Sequence, residues 1–208
     1  MKDNPIETKE NILKSAKAEF LEKGFTAASL RTIATNANLT TGAMYRHFEN
    51  KDALFCALVD DAIAKTHSII ESASIETHST LINPLGEAHH QEEINVFKDF
   101  IDYIYQNFDS FVLLLSCSAG STHEHFVSEV SDLYTEKTQE LINWMYDKKF
   151  INKKVDSLFI HILTNGMIQV FVEIVLHRIP KQDAWKLIET YVSFNYAGIN
   201  HILEVNSL

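Results

Sequence analysis

Between Ser29 and Phe48 the chain gathers side chains suited to meeting a polyanion. Tyr45, Arg46 and His47, with Lys51 just beyond, bring a phenol, a guanidinium, an imidazole and an ammonium, each able to donate to phosphate oxygens. Arg46 has a second use open to it, because a guanidinium bonds guanine O6 and N7 bidentately; plain solvent exposure is the alternative. Ahead of them stand Thr40, Thr41, Gly42 and Ala43, small enough for a helix to press into a major groove about 12 Å wide. A glycine inside a helix costs up to about 1 kcal/mol relative to alanine. Its presence at position 42 suggests that a side chain there would strike the partner; simple drift is the alternative.

Other chemistries find less support. Ten histidines are present, including His89-His90 and His123-Glu124-His125, but adjacent or i, i+2 imidazoles on a helix point apart. No thiol or carboxylate completes a convincing set, so neither a metal site nor a cofactor is expected. Cys117 and His123 lack a third, orienting residue and an oxyanion feature, so no catalytic set is expected and the chain reads as a non-enzyme. The row His161, Asn165, Gln169 and Glu173, spaced by four along an otherwise apolar stretch, either orients a ligand in a greasy cavity or forms a hydrogen-bonded seam at a dimer axis. With the aromatic residues Phe100, Tyr103, Phe111 and Trp144, and Cys117, the first three of that row make the candidate ligand-binding set.

These residues need helices to place them. From Thr8 to Lys23, Ile12, Leu13, Ala16, Phe20 and Leu21 recur at helical spacing, and Gly24 stands where a C-cap would be. Ser29 is a plausible N-cap for a second helix carrying Leu30, Ile33, Ala34 and Ala37 before Asn38 interrupts it, and Thr40 caps a third. Two short helices about a tight turn make a helix-turn-helix. Met44 and Phe48, four apart, face inward with Leu30, Ile33 and Phe20, while Thr41 and Tyr45 face out. A fourth helix runs from Lys51 to about Ser72, followed by the longest loop, 72–91, and by five further helices near 92–107, 109–118, 123–149, 155–177 and 183–203. The expected fold is all-α with about nine helices. Residues 1–50 form a helix-turn-helix head, and 51–208 form a ligand-binding and dimerisation body that begins with the connecting helix 51–72.

Only six Gly and three Pro punctuate 208 residues, which favours long helices over short strands. The net charge of −10 looks unsuited to nucleic acid until it is divided. Residues 1–60 hold eight basic and eight acidic groups, so the rest of the chain carries ten against twenty and the whole deficit. A neutral head can approach phosphate while the acidic body is repelled. Two cysteines far apart in sequence suit a reducing compartment. The charge-scattered N-terminus and the absence of long apolar runs support neither export nor membrane insertion, so a cytoplasmic location without a membrane partner is expected.

The segment Gly24-Phe25-Thr26-Ala27-Ala28-Ser29-Leu30-Arg31-Thr32-Ile33-Ala34, followed by Leu39-Thr40-Thr41-Gly42-Ala43-Met44-Tyr45-Arg46-His47-Phe48-Glu49-Asn50-Lys51-Asp52-Ala53-Leu54, resembles the tetracycline-repressor (TetR) family. The likeness covers roughly the first 60 residues; the remainder is similar only in length and helical character. It implies phosphate contacts by Tyr45, His47 and Lys51. It also places Thr26 and Ser29 where the second helix meets the backbone, although Ser29 has the alternative of a simple cap. It implies further a homodimer through the last two helices, whose Leu158, Ile162, Ile168, Val172, Val175, Leu176, Trp185, Ile188, Val192, Phe194, Ile199 and Ile202 exceed what one antiparallel pair can hide. The partners it implies are double-stranded operator DNA, palindromic to match the dimer, and a small-molecule effector that releases the operator. A DNA-bound structural protein of the same fold, with no effector, is the other reading.

Overall fold

The structure, a computed structural model, describes residues 5–72 and 85–203. Among the described residues the chain is all helical, in nine helices. They are α1 (Pro5–Ala27), α2 (Leu30–Asn36), α3 (Thr41–Met44), α4 (Lys51–Ser72), α5 (Glu87–Gln106), α6 (Phe108–Ser116), α7 (Phe126–Asp147), α8 (Ser157–Leu176) and α9 (Lys181–Ile202). Two compact units arise: a head unit of the chain up to Ala64 with Asn107–Phe126, and a body unit of Lys65–Gln106 with Val127 onward.

In the head unit α1 packs on α2 and α6, and α2 on α3. Ile12, Ala16, Phe20, Ile33, Met44, Leu54 and Phe55 are buried there. Three rings form its centre: Phe55 meets Phe20 and Phe25 edge-on at 5.3 and 5.4 Å, and Phe20 stacks with Phe25 at 5.9 Å. Such contacts add about 0.5–1.5 kcal/mol each to the burial of the rings. Gly24 leaves the helical path at φ 72° and ψ 166°, a conformation that costs a β-carbon-bearing residue dearly. The chain can then turn so that Phe25 N–H donates to Cys117 O at 2.8 Å.

Helix ends follow the same local rules. Asn38, Lys149 and Arg178 have φ of 58°, 64° and 49° and stand just past α2, α7 and α8. The residue after each donates back to a carbonyl in the helix just ended: Leu39 to Ala34, Phe150 to Met145, and Ile179 to Ile174. This left-handed ending satisfies carbonyls that the last turn would leave open.

In the body unit α9 packs on α5 and α8. Phe97, Phe100, Ile101, Ile104, Phe171, Ile174, Ile188 and Val192 are buried, and Phe100 meets Phe171 edge-on at 5.2 Å. A second cluster joins Ile142, Met145, Ile151, Ile160 and Leu203. The expected 72–91 loop is shorter at its far end. Residues 73–84 lie outside the described residues, but α5 already begins at Glu87. The polar run Glu87-Ala88-His89-His90-Gln91 gives no apolar period, yet His90 is buried and its ring stacks on Tyr196 at 4.1 Å. Tertiary contact overrides the local signal. Helix α8, with mean hydropathy 1.7 over an 18-residue window, is long and apolar enough by length and composition to cross a membrane. Ile160, Met167, Phe171, Ile174 and Val175 are nonetheless buried within the body unit.

Candidate nucleic-acid interface

The helix-turn-helix is pinned by its caps. Ser29 Oγ accepts from Thr32 N–H at 3.3 Å, and Thr40 Oγ1 from Ala43 N–H at 3.1 Å. Each cap satisfies an N–H that the helix start leaves open, which stabilises by about 1 kcal/mol. Two buried groups that sequence reading did not single out tie α1 to α2. Glu19, 4% exposed, accepts from Ser29 N–H at 3.0 Å and from Lys23 Nζ at 3.3 Å. Ser15 Oγ donates to Ile33 O at 2.9 Å. A polar residue on the apolar face of an otherwise amphipathic α1 was the available signal.

The inward set is as the spacing predicted, with Ile33, Met44, Phe48 and Phe20 buried and Leu30 half-buried. On the other side Thr40, Gly42, Tyr45 and Arg46 are exposed, and Thr41, Ala43 and His47 half-buried. Tyr45 exposes about half its surface. A β-carbon built on Gly42 meets nothing within 4 Å, so packing inside the protein gives no reason for the glycine. Helix α3 is little more than one turn, and Tyr45 to His47 follow it in a turn rather than continuing it.

Two residues carried over by resemblance already have work inside the head. Lys51 Nζ donates to Thr26 O at 3.1 Å and Ala28 O at 3.3 Å and lies 4.7 Å from the centre of the Phe25 ring. An ammonium has three protons, and two are engaged here. Thr26 Oγ1 donates to Ala119 O at 2.6 Å. Lys51 thereby clasps the α1–α2 link, and Thr26 holds that link to the turn after α6.

The eight candidate ligand residues are divided between the two units. Phe111 and Cys117 belong to the head unit and are buried; burial pushes the Cys117 thiol up. The other six are in the body unit. There His161 Nδ1 lies 3.2 Å from Thr135 Oγ1, and Asn165 Oδ1 accepts from Ser131 Oγ at 3.2 Å. Gln169 and Glu173 are exposed, and Glu173 pairs with His177 at 2.8 Å. The polar row therefore splits, its first half on α7 and its second half on the surface.

A cavity of about 160 Å³ does lie within the body unit, and none of the eight borders it. Ile142, Met145, Leu163, Met167, Val192 and Ile199 supply apolar wall, and Glu93, Tyr134, Asn195 and Asn200 the polar points. Burial pushes the Glu93 carboxyl up to about 7. Burial, with the Glu93 charge beside it, also pushes the Tyr134 phenol up. Asn200 Oδ1 is buried with no hydrogen-bond partner among the described residues.

A capped pair of short helices with one buried and one exposed face, within a first 60 residues of zero net charge, is the arrangement of a helix-turn-helix DNA-binding segment. The profile described as "Bacterial regulatory proteins, tetR family" matches residues 12–58, the span just built. The Transposon Tn10 TetC protein of Escherichia coli is 26% identical over 168 residues, covering 77% of this chain and 80% of its own. The probable acrEF/envCD operon repressor of E. coli strain K12 is 41% identical over 54 residues, 26% of this chain. This chain spans about a quarter of that relative's length, so the match concerns the head. The crystal structure of NalD, the secondary repressor of the MexAB-OprM multidrug efflux pump in Pseudomonas aeruginosa, superposes with a TM-score of 0.58 at 21% identity, covering 91% of this chain and 96% of its own. Residues 12–58 thus match the DNA-binding segment of the tetR family, and the chain as a whole is similar to transcriptional regulators of that family.

Proposed function

We propose that the protein is a repressor that holds a palindromic operator as a homodimer and lets it go when a small amphipathic cation enters the body cavity. The observation that carries the DNA half is the exposed surface of Thr40, Gly42, Tyr45 and Arg46 on α3 and the turn after it, a segment whose opposite side is locked by Met44 and Phe48. Tyr45, His47 and the remaining proton of Lys51 serve phosphates, Thr41 and Ala43 line the approach, and Arg46 reads a base. Thr26 and Ser29 act by fixing the α1–α2 link against the backbone.

The dimer reading rests on the helices that pack last. Leu158, Ile162, Leu176, Phe194 and Ile202 of α8 and α9 are exposed, Phe194 by 69%. Exposed apolar patches of this kind mark association surfaces. A two-fold axis through them would present two heads to two half-sites.

The effector reading rests on the cavity. Its volume is close to that of cavities known to hold a single aromatic ring. Glu93 is costly to ionise there alone, and a bound cation offsets that cost. The carboxylate that faces the cavity is Glu93, while Glu173 is exposed. The homologue named as an operon repressor supports repression over activation.

A mobility-shift assay with the intergenic DNA upstream of the protein's own gene tests the operator claim. A shift that Tyr45→Ala weakens at least tenfold supports it; no shift at low salt, or equal binding by Tyr45→Ala, overturns it. Quaternary ammonium compounds carrying an aromatic ring should raise the melting temperature and release the DNA. A panel in which only anions stabilise defeats the cation claim. A panel in which nothing does favours a DNA-binding protein without an effector.

A further inference from the structure

The head unit brings together a thiol, an imidazole and a carboxylate that the DNA reading does not use. On α4, Asp52, Cys56 and Asp60 recur every four residues and share one face. His123, in the turn before α7, comes against that face. Its Nε2 lies 3.3 Å from Cys56 Sγ and 4.0 Å from Asp60 Oδ1, and the three donor atoms all fall within 4.8 Å of one another.

The arrangement is held from behind. Asp52 Oδ1 accepts from Thr122 N–H at 2.8 Å, and Thr122 Oγ1 donates to Asp52 Oδ2. Asp52 Oδ2 lies 3.7 Å from Cys56 Sγ. His123 N–H donates to Ser121 Oγ at 3.1 Å. The residue next to His123 is thus fastened to the residue one turn before Cys56. Burial and these hydrogen bonds pull Asp52 in opposite directions; the hydrogen bonds win and keep the carboxyl low, so it stays an acceptor.

We propose that Cys56, Asp60 and His123 form a site for a divalent borderline-soft transition-metal cation, zinc in the first instance, with water in a fourth position and Asp52 as the outer support. Thiolate, imidazole and carboxylate are the ligand types zinc accepts, at about 2.3, 2.0 and 2.0 Å. Tetrahedral bonds of those lengths put neighbouring ligand atoms roughly 3.3–3.6 Å apart. The Sγ–Nε2 pair already has that spacing. Only the Asp60 carboxylate must draw in, and it is 66% exposed and free to do so. Cys56 binds as thiolate: its S–H bond breaks, the sulfur lone pair goes to the metal, and the proton leaves to solvent. The histidines that sequence spacing set aside, His123-Glu124-His125, contribute one ligand rather than two.

Full-length reduced protein, stripped with a chelator and titrated with Co²⁺, tests the site directly. One Co²⁺ per chain with a thiolate charge-transfer band in the near ultraviolet is expected, displaced by one equivalent of Zn²⁺. Cys56→Ser and His123→Ala should lose that band, and Asp52→Asn should weaken binding about 10–100-fold. Cys117→Ser should bind as the parent does. Circular dichroism without metal checks that each variant folds, which the partial exposure of Cys56 and His123 favours. A Co²⁺ titration with no charge-transfer band, or a band that survives Cys56→Ser in folded protein, overturns the proposal.

Discussion

At the scale of single residues, the head divides its side chains between holding the motif and presenting it, and Gly42 separates the two most cleanly. The protein leaves open space around its absent β-carbon, so Gly42→Ala should not disturb folding. Glycine costs a helix up to about 1 kcal/mol against alanine, so the variant's melting temperature should hold or rise by a degree or two. Operator affinity should fall at least tenfold, because the added methyl enters the surface that approaches DNA. A melting curve and a binding isotherm on the same preparation check both. Equal operator affinity in a more stable variant would show that Gly42 is not at the DNA. Lys51 is the contrasting case. Its resemblance-based role was phosphate contact, yet two of its protons go to Thr26 O and Ala28 O. Sequence told what Lys51 could bind outside the protein; it could not tell that two carbonyls inside would bind it first.

At the scale of elements, what was readable depended on whether the cause was local. The ends of α2 and α3 were legible because Ser29 and Thr40 cap within three residues of themselves. The start of α5 was not, because His90 earns its place against Tyr196, far along the chain. That none of the candidate ligand residues borders the body cavity has the same reason. Helical spacing places His161 and Asn165 on a face, but only packing decides that this face meets Thr135 and Ser131 of α7. Glu93 lies in the same polar start of α5 and has a thermodynamic consequence. Burial raises its carboxyl from 4.5 to about 7 in the folded state. Between those values the folded protein holds more protons than the unfolded chain, so stability falls as pH rises. The contribution is full below about pH 4.5 and is lost through pH 7, up to about 3 kcal/mol in all. Denaturant titrations at pH 5 and pH 8 should show Glu93→Gln flattening this slope. A cationic ligand reverses the preference, binding more tightly at pH 8 than at pH 6 in the parent but not in Glu93→Gln. A slope unchanged by Glu93→Gln would remove this carboxyl as its cause.

At the scale of the whole molecule, charge and apolar surface are distributed between two jobs. The net charge of −10 falls outside residues 1–60, so a polyanion is repelled least by that segment. The exposed apolar side chains Leu158, Ile162, Leu176 and Phe194 lie on α8 and α9, helices whose other faces are already used in the body's own core. This surplus was visible in the sequence as more apolar residues than one helix pair can cover. Which of them were surplus was not, since Val175, Ile188 and Val192 look alike on paper and are buried. Phe194→Asp is the sharpest probe, because the side chain is 69% exposed and its loss leaves the body core intact. In a two-fold interface every substitution acts twice. Two central contacts at about 2 kcal/mol each amount to about 4 kcal/mol, close to a thousandfold in the dimer constant. Sedimentation at micromolar concentration should then find a monomer with the parent's helical content. Its affinity for one half-site should be unchanged while its affinity for the full palindrome collapses to that of a single head. A variant that still sediments as a dimer would move the interface away from α8 and α9.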